Sequence, residues 1–240
     1  MCAVTNRILA VLEPAALIIC PAVLVLCAIF DVDNIVLLIT VTALLSAVPF
    51  LARFEYKCLK PSEIMPIVVL SAAAIVGRIA FLAIPNVQPV TAIVIFTGIW
   101  YGRQSGYLTG AFTALVSNMA LGQGLWTPWQ MYAWGLIGYL AGVLFSKDAV
   151  AGDGFEKRRR RAFVYIYGAF ASALFSIIMD VWFVIGFLTD LSVTGILAAF
   201  GAGLIMNLLH IVATVVFLML MLVPWGKKIR RINNKYGRVK

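Results

Sequence analysis

Residues 69–100 read VLSAAAIVGRIAFLAIPNVQPVTAIVIFTGIW and contain a single charged side chain, Arg78. An apolar run of about 20 residues is what a helix needs to cross a bilayer. We interpret the stretch as parts of two membrane-spanning helices, residues 63–84 and 90–102, joined by the polar turn PNVQP. The second span has only 13 residues, so we expect it to be tilted or partly non-helical.

The whole chain has the same character. Of its 240 residues, 63% are hydrophobic and 12% are charged, and the mean hydropathy is +1.01. A soluble domain carries about 25% charged residues, so the composition predicts an all-α polytopic membrane protein. The candidate spans are residues 8–30, 35–53, 63–84, 90–102, 105–121, 130–146, 162–188 and 195–225.

Basic residues fall on alternate sides of these spans. Eighteen of the nineteen Lys and Arg residues lie in the N-terminal segment, in alternate connections or in the C-terminal tail, and the exception is Arg78. The other connections, which include DVDN at 31–34, PNVQP at 85–89 and TDLSV at 189–193, contain none. Because positively charged loops stay in the cytoplasm, we expect a multi-pass protein of the cell membrane with both termini cytoplasmic.

Hydropathy and charge divide the chain into three parts. These are an N-terminal transmembrane hairpin at 1–62, a membrane core containing the remaining six spans at 63–226, and a basic cytoplasmic tail at 227–240. A cytoplasmic linker, SKDAVAGDGFEKRRRR, interrupts the core at 146–161. Its basic run KRRRR at 157–161 suits a retention signal or contact with anionic lipid. The positive charge therefore does not indicate binding of nucleic acid.

Signatures of catalysis are missing from the sequence. It has no HExxH, DDxxD or GxSxG motif and no Walker loop. A single His and one carboxylate within the spans of the core are too few for a typical hydrolase or transferase site. The cysteines Cys2, Cys20, Cys27 and Cys58 form no CxxC pair. We therefore expect no catalytic residues, no metal and no cofactor, and any ATP-driven work has to be done by another chain.

Polar residues inside the spans are candidates for a ligand site because they are costly in lipid. Arg78 lies about 22 Å and Asp180 about 27 Å along their spans from the cytoplasmic side. Similar depth and opposite charge make them a candidate pair, either a structural salt bridge or the floor of an external pocket. Asn207 and His210 share one face of the last span, where an interhelical hydrogen bond explains such residues more often than a ligand does.

Small residues in several spans allow helices to approach closely. Pairs with GxxxG spacing are Gly98 and Gly102, Gly106 and Gly110, and Gly138 and Gly142. We expect these pairs to pack within the protein. The segment SAAA at 71–74 leaves half of its span nearly free of side chains, so it either packs internally or docks another subunit. The candidate docking residues are Ala72, Ala73, Ala74 and Gly77.

Residues 122–131, GQGLWTPWQM, form an uncharged polar loop between two apolar spans. Its two tryptophans are either interfacial aromatics or parts of a ligand pocket, with Pro128 stiffening the loop between the rings. Apolar rings with a few amides suit the capture of a polar organic molecule. The candidate ligand residues of the outer loops and helix ends are Gln88, Asn118, Gln123, Trp126, Trp129 and Gln130.

Residues 77–145 contain QP after the first core helix, then ALVSN and GQGLWTPWQM. This segment resembles the substrate-binding S component of an energy-coupling factor (ECF) transporter, and within that family it is similar to the cobalamin or corrinoid branch. The resemblance implies a core of six helices, preceded here by an extra hairpin that has no counterpart in the family pattern. It also implies a non-enzymatic subunit that captures a vitamin on the outer face.

The resemblance further implies partners and a substrate class. The partners are a membrane coupling subunit, docked by small residues at 71–77, and two cytoplasmic ATPase subunits. Uncharged amides and two large rings suit the amide-fringed edge of cobalamin or a related corrinoid, while riboflavin, a pterin-like base and a queuosine precursor stay open. The external loops hold no Lys or Arg, which disfavours a negatively charged ligand.

Two rival classes of function stay open at this stage. An integral membrane enzyme acting on lipid or isoprenoid would need carboxylates or histidines at one depth, whereas Asp180 and His210 lie on different levels. A stand-alone small-molecule carrier should show a continuous polar stripe on several helices, whereas polarity here is concentrated at the outer end. Both therefore fit the sequence less well than an S component.

Overall fold

The structure is a computed structural model that describes residues 2–29, 35–56, 61–150, 155–188 and 192–236. All regular structure in these residues is helical, as expected for an all-α protein. The connection DVDN, most of TDLSV and the last four residues of the basic tail lie outside the described residues. The helices are α1 (Cys2–Ile29), α2 (Ile35–Leu45), α3 (Val48–Tyr56), α4 (Pro61–Ala80), α5 (Val90–Tyr101), α6 (Arg103–Leu121), α7 (Trp126–Leu144), α8 (Lys147–Val150), α9 (Phe155–Phe187) and α10 (Val193–Tyr236).

The second span of the N-terminal hairpin is broken into α2 and α3. Pro49 has no N–H group and its ring crowds the carbonyl four residues earlier, so a helix cannot continue through it undisturbed. The chain instead closes α2 with a tight turn, in which the N–H of Ala47 donates to the carbonyl of Leu44 at 3.1 Å. The expected single span at 35–53 is therefore interrupted at residues 46 and 47.

Helices α5, α6 and α7 cross with their backbones in contact. A Cβ atom on Gly98 or on Gly106 would overlap the backbone of Gly138. The one-residue link between α5 and α6 is Gly102, whose φ of 91° lies in the left-handed region that glycine adopts without strain. The GxxxG pairs thus pack within the protein, as predicted, and they hold the three central helices together.

The outer surface of the helices is apolar. Side chains such as Val68, Phe170 and Ile205 are more than half exposed, whereas soluble proteins rarely expose large contiguous apolar patches. Within the described residues, the helices Glu156–Phe187 and Val193–Ile232 are long and apolar enough to cross a membrane. Shorter apolar helices cover Val11–Val23, Thr40–Ala52, Ile64–Ala80 and Val90–Tyr101.

The decapeptide at 122–131 is only partly a loop. Residues 122–125 are irregular, and α7 begins at Trp126, so Trp129 and Gln130 are helical. Pro128 fits there because the N–H groups of the first helical turn have no partner four residues back. The expectation of a ten-residue loop stiffened by Pro128 is therefore wrong for its second half. As a result, the geometry of α7 sets the direction in which the side chain of Trp129 points.

The N-terminal hairpin packs against α6 and α7 through polar as well as apolar contacts. In the first half of α1, Glu13 is fully buried and accepts a hydrogen bond from Nε2 of Gln104 at 2.6 Å. Midway along α2, Thr40 accepts a hydrogen bond from the indole of Trp129 at 3.4 Å. The start of α6 therefore lies beside the first half of α1, and the start of α7 lies beside the middle of α2.

Candidate functional site

A cavity of about 70 Å³ lies between the end of α4 and the start of α7. It brings together residues from five core helices and from the α4–α5 turn, and three of the predicted ligand residues, Arg78, Gln88 and Gln130, line it. The lining residues are Arg78, Asn86, Gln88, Val90, Gln130, Trp134, Phe175 and His210. The cavity combines one cation and three amides with aromatic rings, which is the mixture expected of a small-molecule site.

A larger cavity of about 470 Å³ lies at the other end, where α7 stops and α9 starts. Its polar side chains are Ser146, Arg159 and Arg160, and the rest of its wall is apolar or glycine. Exposed cations beside exposed apolar side chains are typical of a surface at the level of anionic lipid headgroups. The smaller cavity, with its converging amides and rings, is therefore the candidate ligand site.

Arg78 is the centre of a buried polar network beneath the smaller cavity. Its guanidinium donates from Nη1 to the hydroxyl of Ser117 and, at 2.7 Å, to Oδ1 of Asn118. Its Nη2 lies 3.5 Å from Oε1 of Gln130, and its Nε is buried without a hydrogen-bond partner among the described residues. The network joins α4, α6 and α7 and leaves a donor of Arg78 unused.

Asn118 orients the other members of this network. It is 1% exposed, and its amide group donates to Thr127 and to Gln130, each at 2.9 Å. Because Oε1 of Gln130 accepts hydrogen bonds from Asn118 and from Arg78, the amide nitrogen of Gln130 is turned away from both. No hydrogen bond is formed by that nitrogen within the described residues, and Gln130 lines the cavity. The site therefore presents N–H donors to a bound molecule.

The aromatic wall of the cavity comes from Trp134 and Phe175. Their rings stack at a centroid separation of 4.7 Å, and the guanidinium of Arg78 lies 5.1 Å from the Trp134 ring. The Trp134 indole donates to the hydroxyl of Thr91 at 3.1 Å, and that hydroxyl lies 2.9 Å from Nε2 of His210. The interhelical hydrogen bond predicted for His210 is therefore present, and it holds the imidazole ring of His210 in place at the cavity wall.

The expected pair of Arg78 and Asp180 does not form. No ion pair joins Arg78 to a carboxylate within the described residues, and Asp180 instead accepts a hydrogen bond from Asn207 at 2.8 Å. The reason is the packing of the helices: α4 lies against α5 and α6, whereas α9 lies against α7 and α10. Equal depth in the membrane therefore did not imply contact. Asp180 and Asn207 lie about one helical turn beyond Phe175 and His210, which line the cavity.

The two tryptophans of the decapeptide lie outside the cavity lining. Trp129 is 3% exposed and faces the hairpin, where it bonds to Thr40. Trp126 packs edge-on against Trp182 with the ring centroids 6.0 Å apart. Gln123 is exposed and donates to the carbonyl of Leu115 at 3.0 Å, close to the end of α6. The three side chains thus have partners in this structure other than the cavity.

The four predicted docking residues lie on different faces of α4. Ala74 is fully buried, and a Cβ atom on Gly77 would overlap Pro89, so both belong to the packing of the core. Ala72 is exposed and Ala73 is half-buried. Ala72 stands in the middle of an exposed apolar stripe, which consists of Met65, Val68, Val69, Val76 and Ile79 besides Ala72 itself.

Sequence reasoning missed the aromatic wall of the site. Trp134 lies one turn after Gln130, and residues four apart share a helix face, so this ring was within reach of a sequence argument. Phe175 and Thr91 carry no local signal, because they are single residues within apolar helices. Their role follows from α5 and α9 meeting α7 at this point.

The positive charge in the cavity also differs from the expectation. The external loops hold no Lys or Arg, which disfavoured a negatively charged ligand, but Arg78 reaches the cavity from within α4. A guanidinium that bonds only to neutral side chains among the described residues attracts electron-rich groups such as carbonyl oxygens.

In the described residues, no group of three or more His, Cys, Asp and Glu side chains is arranged to hold a metal ion.

Comparison with known proteins identifies the family. The family model described as "ECF-type riboflavin transporter, S component" matches residues 59–226. No significant match was found among curated proteins or among solved structures. The description names riboflavin, so the match does not support the expected cobalamin or corrinoid branch. S components bind a small vitamin, work with a membrane coupling subunit and ATPases, and are not enzymes. Because the match covers well over half of the chain, this membrane protein belongs to the family of ECF-type riboflavin transporter S components.

Proposed function

We propose that the chain is the substrate-specificity subunit of an ECF-type vitamin importer and that its ligand is riboflavin or a closely related flavin. The observation that carries this proposal is the cavity in which Arg78 and Gln130 present N–H donors beside the stacked rings of Trp134 and Phe175. A flavin matches both features, because it is a flat aromatic ring system with carbonyl oxygens along one edge. Offset stacking of such rings contributes about 0.5–1.5 kcal/mol beyond the area that is buried.

A flavin requires less widening of the cavity than a corrinoid does. The volume of about 70 Å³ is below the range of about 300–1,000 Å³ that ligand pockets usually have. Binding of either ligand therefore has to widen the site, and a flat ring system needs less widening than a corrin with its amide side chains. The α4–α5 turn is the part of the lining that we propose to move, since it is irregular and its residues 82–86 are exposed.

We propose separate roles for the predicted ligand residues. Arg78, Gln88 and Gln130 contact the heterocycle, and Asn118 holds Arg78 and Gln130 in place. Asp180 and Asn207 lie further out, where α9 and α10 meet. There the carboxylate of Asp180 can accept hydrogen bonds from the hydroxyl groups of a sugar-alcohol tail, and the amide of Asn207 can donate to them. We assign Gln123, Trp126 and Trp129 supporting roles outside the ligand contact: Gln123 bonds to Leu115, Trp126 packs on Trp182, and Trp129 supports α7 from the hairpin side.

Titration of the purified protein tests the ligand. We expect sub-micromolar binding of riboflavin without any ATPase, because the chain carries no nucleotide-binding motif. Isothermal titration against riboflavin, cobalamin, cobinamide and queuine measures this in one panel. Tight binding of cobalamin with none of riboflavin would overturn the flavin assignment and restore the corrinoid one. Binding of no panel member would count against vitamin capture at this site.

We propose that the exposed stripe of α4 docks the coupling subunit through its small central residue. Ala72 allows another helix to approach closely, because it adds almost no side chain between larger neighbours. Ala72→Leu should abolish ATP-dependent uptake while the affinity for riboflavin stays within about twofold, since the cavity lies on the other side of the helix. The matched control is Ala198→Leu at an exposed position of α10. Loss of ligand binding in Ala72→Leu would assign this residue to internal packing.

We propose that the chain crosses the membrane eight times, with the broken span α2–α3 counted once and both termini in the cytoplasm. Two contacts of the hairpin support this arrangement: Glu13, in the first half of α1, meets Gln104 at the start of α6, and Thr40 of α2 meets Trp129 at the start of α7. Charged residues follow the same division. Labelling of single cysteines at Asn86 and Lys228 by a membrane-impermeant reagent in intact cells tests it. Labelling of position 228 and protection of position 86 would reverse the orientation.

A further inference from the structure

Helix α7 is held between the cavity and the N-terminal hairpin. Gln130 and Trp134 line the cavity, whereas Trp129 and Tyr132 bond to the hairpin. Residues four apart share a face of a helix, and residues one or two apart do not. The same two turns of α7 therefore carry part of the candidate ligand wall on one face and the hairpin contacts on the other.

The hairpin contacts restrict both the rotation and the sliding of the core helices. The Tyr132 hydroxyl donates to the carbonyl of Leu17 at 2.7 Å, and both residues are buried. On the neighbouring helix α6, the ring of Tyr107 stacks on Phe50 at a centroid separation of 3.6 Å, and both rings are less than 2% exposed. These contacts have the burial and the geometry of a protein core.

A buried charge locks this arrangement. Glu13 is 0% exposed, accepts a hydrogen bond from Gln104 at 2.6 Å and lies 3.5 Å from Nε of Arg103. A carboxylate in an apolar interior is costly unless it is paired and hydrogen-bonded. Separation of α1 from α6 would move Glu13 away from both partners and into lipid. The docked position of the hairpin is therefore strongly favoured over an undocked one.

We propose that the N-terminal hairpin is a permanent brace that sets the position of α7 and thereby the affinity of the ligand site, with Glu13 as the positioning residue that keeps it docked. The inference rests on the proposed function, since it concerns the same cavity. The family match begins at residue 59, so the brace lies outside the matched segment. Ligand sites depend on the contacts that support their residues from behind, and a displacement of about 1 Å can cost up to about a hundredfold.

Near-isosteric variants of the hairpin contacts test the brace without touching the cavity. Glu13→Gln removes the ion pair, Thr40→Val removes the acceptor for Trp129, and Tyr132→Phe removes the hydroxyl that bonds to Leu17. We expect the Kd for riboflavin of the folded protein to rise about tenfold in the triple variant, which corresponds to about 1.4 kcal/mol. Ile18→Ala, at an exposed position of α1, is the control and should leave the Kd unchanged.

A cross-link between α1 and α6 distinguishes undocking of the hairpin from a general loss of stability, because it should restore the affinity only in the first case. Cysteines replace Glu13 and Gln104 in a chain whose four native cysteines are alanine, and a short bifunctional thiol reagent joins them across the gap that the two longer side chains spanned. The unlinked form should bind riboflavin about tenfold more weakly, and closing the link should restore the affinity. Equal affinity of the unlinked and closed forms would overturn the proposal. Loss of binding on closure would overturn it too, because the hairpin would then have to undock.

Hydrogen exchange gives a readout that does not depend on the ligand. In the triple variant, the amides of residues 126–136 should exchange faster while those of the middle of α10 do not, since only α7 loses its support. Unchanged exchange in α7 would contradict the brace even if riboflavin proves not to be the ligand. If wild-type protein binds riboflavin and the hairpin variants bind it equally well, the brace fails and the proposed function stands.

Discussion

The two walls of the cavity are built in different ways. Eleven of the twelve residues of α5 are buried, and its glycine, Gly98, brings it into backbone contact with α7. In α9 and α10, by contrast, only 28% of the most apolar 18-residue stretch of each helix is buried. Gly186 and Gly201, one on each of these helices, have no neighbouring atom within 4 Å of where a Cβ would stand.

This difference separates the two tasks of a binding site. The closely packed wall of α4 to α7 carries the network of Arg78, Asn118 and Gln130, whose geometry has to be held constant for recognition. The open wall of α9 and α10 contributes Phe175 and His210 and has room to shift when a ligand widens the cavity. We therefore expect substitutions in the first wall to affect folding and recognition strongly, and those in the second wall to affect affinity mildly.

Substitution of a glycine at the crossing has the largest expected effect. In Gly138→Ala the new methyl group would overlap the backbone of Gly106, so the helices have to move apart. We expect the free energy of unfolding to fall by about 3 kcal/mol or more, measured by thermal unfolding in detergent. The matched control, Gly201→Ala, has space for the methyl group and should be at least as stable as the wild type, since alanine favours a helix more than glycine does. Equal unfolding temperatures for both variants would remove the distinction between the walls.

Substitution of Arg78 has the next largest effect. Arg78→Lys keeps the charge but loses the planar fork that reaches Ser117, Asn118 and Gln130 together. We expect the affinity for riboflavin to fall about a hundredfold, or about 2.7 kcal/mol, measured by titration of the folded fraction. Val116→Ala, an exposed neighbour of this network on α6, serves as the control. Affinity within threefold of wild type in Arg78→Lys would remove Arg78 from the site.

A comparison of two tryptophans separates the cavity from the outer loop. Trp134→Phe removes the ring face under Arg78 and the hydrogen bond to Thr91, so we expect riboflavin to bind about tenfold more weakly. Trp126→Phe alters packing contacts with Trp182 and Gly124, outside the cavity lining, and should change the affinity less than twofold. Titration of both variants decides between them. The reverse order of effects would return the ligand site to the decapeptide.

Asp180→Asn has the smallest expected effect. The change keeps the shape of the side chain, and the amide oxygen can still accept the hydrogen bond from Asn207. We expect an affinity for riboflavin about threefold weaker, because one acceptor oxygen for the hydroxyl tail is lost. The same titration with lumichrome, which has the ring system without the tail, should show no difference between wild type and variant. A difference with lumichrome would place Asp180 next to the ring system instead.

Much of this protein could be predicted from its sequence, because the signals were local. Apolar runs predict helices, GxxxG pairs predict close crossings, and the crossing of α5, α6 and α7 was confirmed. The resemblance carried by residues 77–145 indicated the S-component family, which the comparison then showed. Arg78 was recognised as a candidate because polar groups are rare in such helices, and Gln88 and Gln130 because they are amides of uncharged polar connections; all three line the cavity. The family match does not support the predicted cobalamin branch, and a polar loop by itself does not specify which ring system it binds.

The sequence by itself determined that the protein lies in a membrane, that it is helical, and which polar residues within the spans need a hydrogen-bonding partner. The tertiary structure determined which residues serve as those partners. Arg78 bonds to Ser117 and Asn118 instead of Asp180, and Trp129 faces the hairpin while Trp134, five residues later, faces the cavity. The physical reason is that the helical repeat fixes which residues share a face, whereas the rotation of each helix against its neighbours depends on contacts between segments far apart in the chain.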